Sequence, residues 1–351
     1  MAHNLATTNG KTSFFYYGEA PWHGLGQKLD APATAQEAIT AAGLTGLAVI
    51  SELALLLPFW CLVTLGGFLS VIVNAVAADL WPAQPRRGVL LLHGMVTLGK
   101  MGGPVAALYA PAVLGCMLAE VEQWPPWRAM FLLAAFASLA VLLLLAFEKP
   151  AAAAAEQGPP GGMPAGGTLA IAASAGLLGL ISGSENALAS VAPAFFQNVR
   201  GLDARHANAL LSLHFAALAA GRFAFGVFNR RLSPRWIMGI GLLPAFLAFP
   251  AGLSGRPAVF AASFVLLGLG FSITWPTIFA HLASLMPHDR SRLTLAVGLA
   301  NALGINACIA ASSALLDVNP PLAVLLGPVV LVGCSALFIF ALKRSAEGKI
   351  K

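Results

Sequence analysis

An all-α polytopic membrane bundle of nine or ten spans, assembled from two pseudo-symmetric halves, is the fold class this sequence predicts. Three observations predict it. The 351 residues are 58% hydrophobic and only 10% charged, with a mean hydropathy of +0.80, whereas a water-soluble domain carries about 25% charged residues. Apolar runs long enough to cross a hydrocarbon core about 30 Å thick recur from residue 59 to residue 342. A shift of 205 residues lays ADLWPAQPRRGVLLLHGMVTLGKMGGP (78–104) over ASLMPHDRSRLTLAVGLANALGINACI (283–309) without a gap. A parallel repeat of this kind, covering two spans and the basic turn between them, is the pattern of a bundle built from two halves.

Taken in order, residues 1–43 read as a soluble segment, and residues 1–33 contain no apolar core of a signal peptide. The next stretch, LTGLAVISELALLL (44–57), contains Glu52 and is about 21 Å long as a helix, short for a bilayer. It crosses only if its helix begins near Thr34, where Thr34 and Glu37 have the spacing of a capping box. Nine further spans are predicted at about 59–81, 88–116, 128–147, 168–196, 207–228, 235–254, 258–286, 293–316 and 320–342. The Ala/Pro/Gly-rich stretch 148–167 reads as a flexible linker between a first half at 44–147 and a six-helix second half at 168–344, with a tail at 345–351.

Charge orients these spans. WPAQPRRG (81–88), NRRLSPR (229–235), MPHDRSR (286–292) and the tail KRSAEGKIK (343–351) are basic, while AEVEQWPPWR, SGRP and DVNPP are not. Every second connection is therefore expected to be cytoplasmic, as is the C-terminus. Ten spans put the N-terminus inside as well, and nine put it outside. The net charge of +6 is spread over these turns and does not form one basic domain, so a nucleic-acid partner is not expected. Cys61, Cys116, Cys308 and Cys334 lie in apolar runs without C-x-x-C spacing, which indicates neither a disulfide framework nor a metal site.

The repeat also exposes a gap. At the same shift, the spans 168–196 and 207–228 have no counterpart within the chain, so the first half is expected to lack about two helices. Certain residues bear a family likeness. GRFAFGVFNRR (221–231) resembles the loop motif between helices eight and nine of the major facilitator superfamily of secondary transporters. LGKMGGP (98–104) is similar to that family's Gly-Pro element in helix five, and WRAMF (127–131) to the start of its helix six. The order Asn74, His93, Gly-Pro, together with WPTIFAHLASLMP (275–287), is similar to the fucose-permease branch. The resemblance spans about 44–344 and implies helices three to twelve of a twelve-helix fold. Residues 1–44, with a MAH start and the PWHGLG element at Pro21 to Gly26, instead resemble the opening of a phage/plasmid-like family of unknown function. The change at Leu44 leads us to expect a gene fusion, a misassembled gene or a wrong start.

Candidate chemistry lies where charge interrupts the apolar runs. Glu185 sits near the middle of its span, where a carboxylate costs about 2.5–3.5 kcal/mol on insertion scales and so faces a cavity or a partner. Asn186 is its neighbour. Lys100 is too deep for easy snorkelling and shares a helix face with Thr97 and His93. That stripe suits an anionic or polyhydroxyl ligand, or a Lys100–Glu185 pair. Gly99, Gly103 and Ala106 form an opposing small-residue stripe expected to make close helix contact. Under the shift of 205, Lys100 maps to Ile305 and His93 to Gly298, so the repeated scaffold does not itself demand a charge.

Asn74, His214, Trp275 and Asn301 complete the expected substrate and proton pathway, each also readable as an interhelical bond or a packing ring. Arg222, Arg230 and Arg231 are expected, by the resemblance, to form a cytoplasmic gate, and Asp79 to pair with Arg86 or Arg87. Enzyme chemistry is disfavoured, since G-x-S-x-G, H-E-x-x-H and Walker elements are absent. The function expected is secondary active transport of a small solute by alternating access, coupled to a proton, by a multi-pass monomer of the cytoplasmic (inner) membrane without cofactor or metal. The alternatives are a truncated or chimeric remnant that does not transport, and a membrane tether or sensor.

Overall fold

The computed structural model describes residues 38–49, 58–59, 61–62, 85–116, 126–146, 165–228, 233–252, 256–285 and 290–347. The expected span 59–81 with Asn74 and Asp79, the capping pair Thr34 and Glu37, most of the linker, and Arg230 and Arg231 lie outside the described residues. The described residues hold eight long helices and no strand. These are α1 (Pro85–Gly115), α2 (Pro126–Ala146), α3 (Ala165–Asn198), α4 (Ala204–Phe228), α5 (Pro234–Gly252), α6 (Pro257–Leu285), α7 (Arg290–Val318) and α8 (Pro320–Glu347). A shorter helix, Ala38–Val49, precedes them and buries Leu44, Leu47 and Ala48. Its described part begins at Ala38, upstream of residue 44, and is shorter than a membrane span.

Each long helix falls on a span expected from the apolar pattern. α1 and α7, which carry the repeated sequence, begin at Pro85 and Arg290, and these positions correspond under the same shift of 205. α3 starts three residues before the expected boundary at 168, and α8 runs on to Glu347, into the segment expected to be a tail. Four described stretches are long and apolar enough to cross a membrane on length and composition alone: Ala204–Val227, Pro257–Ala283, Arg292–Val318 and Pro320–Phe340. α1 and α3 are not among them; they carry many glycines and the polar residues of the site.

Local rules explain the helix ends. Five of the eight helices begin with proline, whose fixed φ and missing N–H suit the first helical position. α3 ends where Gly201 takes a φ of +68°, which lets the amides of Arg200 and Leu202 turn back onto the carbonyls of Phe195 and Phe196. Asp203 then caps α4, its Oδ1 accepting from the His206 amide at 2.8 Å and from the His206 ring at the same distance. That amide bond, ahead of the ring, holds the exposed Asp203 carboxyl below its usual range. Asn319 caps α8 through the amide of Leu322.

The helices pair in a fixed pattern. α3 lies along α7, α1 along α4, and α6 against both α5 and α4, while α8 closes on α3, α7 and α5. α1 and α2 belong to the first half, so α1 against α4 and α6 is where the halves meet. One continuous core runs through the second half, from Ile171 and Leu178 to Phe338, and takes in Val89 of α1. At one end Phe195, Phe196, Phe260 and Phe264 cluster, with ring centroids 5.1 to 6.2 Å apart, edge to face except for the tilted pair Phe195–Phe260. The Arg200 guanidinium lies over the rings of Phe195 and Phe260. Large apolar side chains such as Met95, Trp236, Phe246 and Leu303 point outward, which suits a hydrocarbon surround.

Small residues set the tightest contacts. α3 and α7 meet backbone to backbone, because a Cβ on Gly179 would overlap the Ala300 carbonyl and one on Gly183 the Gly304 carbonyl. The stripe at Gly99 and Gly103 does not behave as expected. Among the described residues no atom lies within 4 Å of a Cβ built at Gly99, Gly102 or Gly103. The close glycine contact of α1 is Gly94, which receives the Phe223 ring of α4, because the polar face of α1 is the one turned to the second half. Gly183→Leu is expected to force α3 from α7 and lower stability by about 3 kcal/mol or more, whereas Gly99→Leu leaves it nearly unchanged. Thermal unfolding of the purified variants in detergent micelles measures the difference.

Candidate functional site

The polar side chains of α1, α3, α4, α6 and α7 converge where the two halves touch. Glu185, near the middle of the 34-residue α3, is 5% exposed. Its two oxygens take different cations from different halves. Oε1 accepts from Lys100 Nζ of α1 at 3.0 Å, and Oε2 from Arg222 Nη2 of α4 at 3.1 Å. The Lys100–Glu185 pair envisaged from the sequence is therefore formed, across 85 residues of chain.

Arg222 is bonded more extensively than any other side chain of the site. Its Nε donates to the Ser272 carbonyl of α6 at 3.2 Å, and Nη1 donates to the His93 carbonyl of α1 at 3.2 Å and to Thr97 Oγ1. The Thr97 hydroxyl passes its own proton back to the His93 carbonyl at 2.6 Å. Sequence explains why the Ser272 carbonyl is available. Pro276, inside α6 and four residues on, has no N–H to occupy it. Gly221, beside the arginine, lets α4 approach Ser272 closely, since a Cβ there would overlap the serine side chain.

Lys100 is less enclosed. Its side chain is 33% exposed, its second acceptor is Asn186 Oδ1 at 3.4 Å, and its ammonium lies 5.8 Å from the centroid of the Phe215 ring. Asn186 is oriented by donating Nδ2 to the Ser182 carbonyl. On the other side of Arg222, the His93 ring tilts against Trp275 with centroids 4.6 Å apart. Trp275 stacks on Phe279 and directs its Nε1 at Asn301 Oδ1 of α7, 3.4 Å away. Among the described residues His93 Nε2 is buried without a hydrogen-bond partner.

The structure thus gathers Glu185, Asn186, Lys100, His93, Trp275 and Asn301 into one polar strip. His214 is bonded on one side, its Nε2 being buried without a hydrogen-bond partner among the described residues. The ring of His214 is fully buried, donates Nδ1 to the Phe264 carbonyl at 2.8 Å and stacks on the Phe264 ring, which makes it a strut between α4 and α6. Arg222 is the residue whose surroundings the sequence reading did not foresee. Grouped with the gate arginines by its motif, it has a side chain 3% exposed and lies at the centre of the ion network. Its position inside an apolar run, the signal that singled out Lys100, is what marks it. Among the described residues no three His, Cys, Asp or Glu side chains gather as metal ligands do.

Arg222 and Lys100 differ in what their removal leaves behind. Arg222→Leu strips Glu185, Thr97 and two backbone carbonyls of a donor and is expected to cost about 3–5 kcal/mol, as breaking a buried pair does. Lys100→Met leaves Glu185 its buried guanidinium and is expected to cost clearly less. Unfolding temperatures of the two variants, measured side by side in the same detergent, check the ranking.

Comparison with known proteins places this architecture. Residues 174–351 match the family model described as Major Facilitator Superfamily. No curated protein matches the chain. Among solved structures it superposes on FucP, a transporter of that superfamily, in the outward conformation, with a TM-score of 0.64 and 17% identity over 88% of this chain and 81% of that one. A second structure of FucP, described as the E. coli fucose:proton symporter, gives a TM-score of 0.58 at 17% identity over 90% and 84%. A bacterial homologue of the human lysosomal transporter Spinster, inward-facing and unoccupied, gives 0.60 at 18% identity over 91% and 84%. At these identities the likeness speaks for the fold, and the family model, which covers half of the chain, speaks for descent. The chain is a multi-pass membrane protein that belongs to the Major Facilitator Superfamily.

Proposed function

We propose that this protein is a secondary active transporter of a small solute, working by alternating access in the cytoplasmic membrane, with Glu185 as the group that exchanges a proton. The observation that carries the reading is the ion bridge at Glu185, a buried carboxylate that ties α1 of the first half to α3 and α4 of the second. Membership of a superfamily of transporters supports the transport class, and the likeness to a fucose:proton symporter is in keeping with proton coupling. Neither suggests an enzyme. The basic connections and the KRSAEGKIK tail favour a cytoplasmic C-terminus.

In alternating access the halves rock against one another about a site near the midplane. The polar contacts that cross their boundary include Lys100 to Glu185 and Arg222 to Thr97 and the His93 carbonyl. Parting α1 from α3 takes the ammonium off the carboxylate. Arg222 still balances the charge through Oε2, but Oε1 is left buried without its donor, which is costly, and a proton delivered to Glu185 supplies the missing hydrogen. Proton entry and helix separation are thereby coupled at one atom pair, and Trp275, Asn301 and His93 adjoin the same boundary.

The test is uptake into proteoliposomes under an imposed pH gradient. Glu185→Gln is expected to lower gradient-driven accumulation by about an order of magnitude or more, while solute counterflow without a gradient persists. Accumulation at the wild-type level by the glutamine variant removes Glu185 from the coupling.

A further inference from the structure

Glu185 meets two cations, so the cluster carries one more positive charge than negative. The other acidic side chains among the described residues, Asp203, Asp317 and Glu347, belong to helix ends, in or beside α4, α7 and α8. The two cations are not equivalent. Arg222 is enclosed, with Ser272, His93, Thr97 and Glu185 each accepting from it. It alone balances the carboxylate. Lys100 has three N–H bonds to give, a long second contact to Asn186, and a third of its side chain open.

Resting on the transport reading above, we propose that Lys100 is the anchor for an anionic group on the solute, and that the substrate class is small monoanions, carboxylates foremost. The depth of Lys100 supports a free solute over a lipid headgroup. It is fifteen residues from the start of the 31-residue α1, a rise of about 22 Å. Charge balance supports one negative charge: the empty cluster is +1, and a monoanion beside Lys100 brings it to zero. With Glu185 ionised, a bound monoanion leaves the cluster neutral, whereas the empty cluster holds one uncompensated charge at membrane depth. Asn186 offers a neighbouring amide, the Phe215 face an apolar contact, and His93 Nε2, unpartnered among the described residues, a polar atom about 10 Å along the helix for the far end of the molecule.

The experiment is equilibrium binding in nanodiscs of uncharged-headgroup phosphatidylcholine, which removes anionic lipid as a competitor, read as the shift in unfolding temperature over a ligand titration. The probes are matched pairs: gluconate with sorbitol, pyruvate with acetone, and benzoate with benzamide. At least one carboxylate is expected to bind the wild-type protein, with its uncharged partner about tenfold weaker or worse. Lys100→Gln is expected to lose that preference and Lys100→Arg to keep it. Equal binding of the uncharged partners, no binding by any carboxylate, or full carboxylate preference in Lys100→Gln overturns the proposal. The ranking within each wild-type pair stands even if the glutamine variant does not fold. Binding is read without a proton gradient, so a failure of Glu185 in proton coupling leaves this result unaffected, and the reverse holds as well.

Discussion

A guanidinium buried inside a membrane bundle must find its hydrogen-bond acceptors within the protein, because hydrocarbon offers none. Arg222 meets that constraint by drawing on three other helices, and their arrangement follows from it. It holds the Glu185 carboxylate of α3, the Thr97 hydroxyl and His93 carbonyl of α1, and the Ser272 carbonyl of α6. Each acceptor has its own local cause. Pro276 leaves the Ser272 carbonyl without its helical donor, and the glycine beside the arginine lets the two helices come within reach.

Around that centre the packing divides into two kinds of contact. α3 and α7 touch through glycine backbones, and α4 and α6 approach at Gly221 and at Gly268, where a Cβ would meet the His214 carbonyl. Such surfaces interlock and hold the second half together as one core. The boundary between α1 and the second half mixes two kinds of contact: Leu90 packs with Ile237 and Ile273 and Gly94 takes the Phe223 ring, while an ammonium, a hydroxyl and a ring contact from His93 to Trp275 add polar links. Polar contacts of this type have defined partners in one arrangement and can be exchanged for a proton, water or a solute group in another. Rigidity within the half and exchangeability between halves are the two properties a rocking transporter needs.

Much of this was legible in the residues. The apolar runs set the eight long helices to within a few positions, because a helix in hydrocarbon must be apolar for about 20 residues and the turns must not be. The repeat located the matching starts of α1 and α7. Lys100 and Glu185 announced themselves as charges at membrane depth, where an unpartnered charge does not persist. Arg222 was visible by the same criterion, but a motif likeness drew attention to the loop beyond it. The Gly99 and Gly103 stripe was read as a helix contact, since spacing alone cannot say which face of α1 is turned to a neighbour.

By itself, then, the sequence determined the class of fold, the helix limits and which buried charges needed partners, since each follows from transfer of short segments between water and lipid. Only the tertiary structure decided who the partners are. That Glu185 takes one cation from each half, that Arg222 is its enclosed partner and Lys100 its more open one, and that His214 turns away to Phe264 all depend on how helices far apart in the chain are rotated against each other. Rotation about a helix axis is set by the sum of many side-chain contacts across several elements. No local pattern of residues contains that sum.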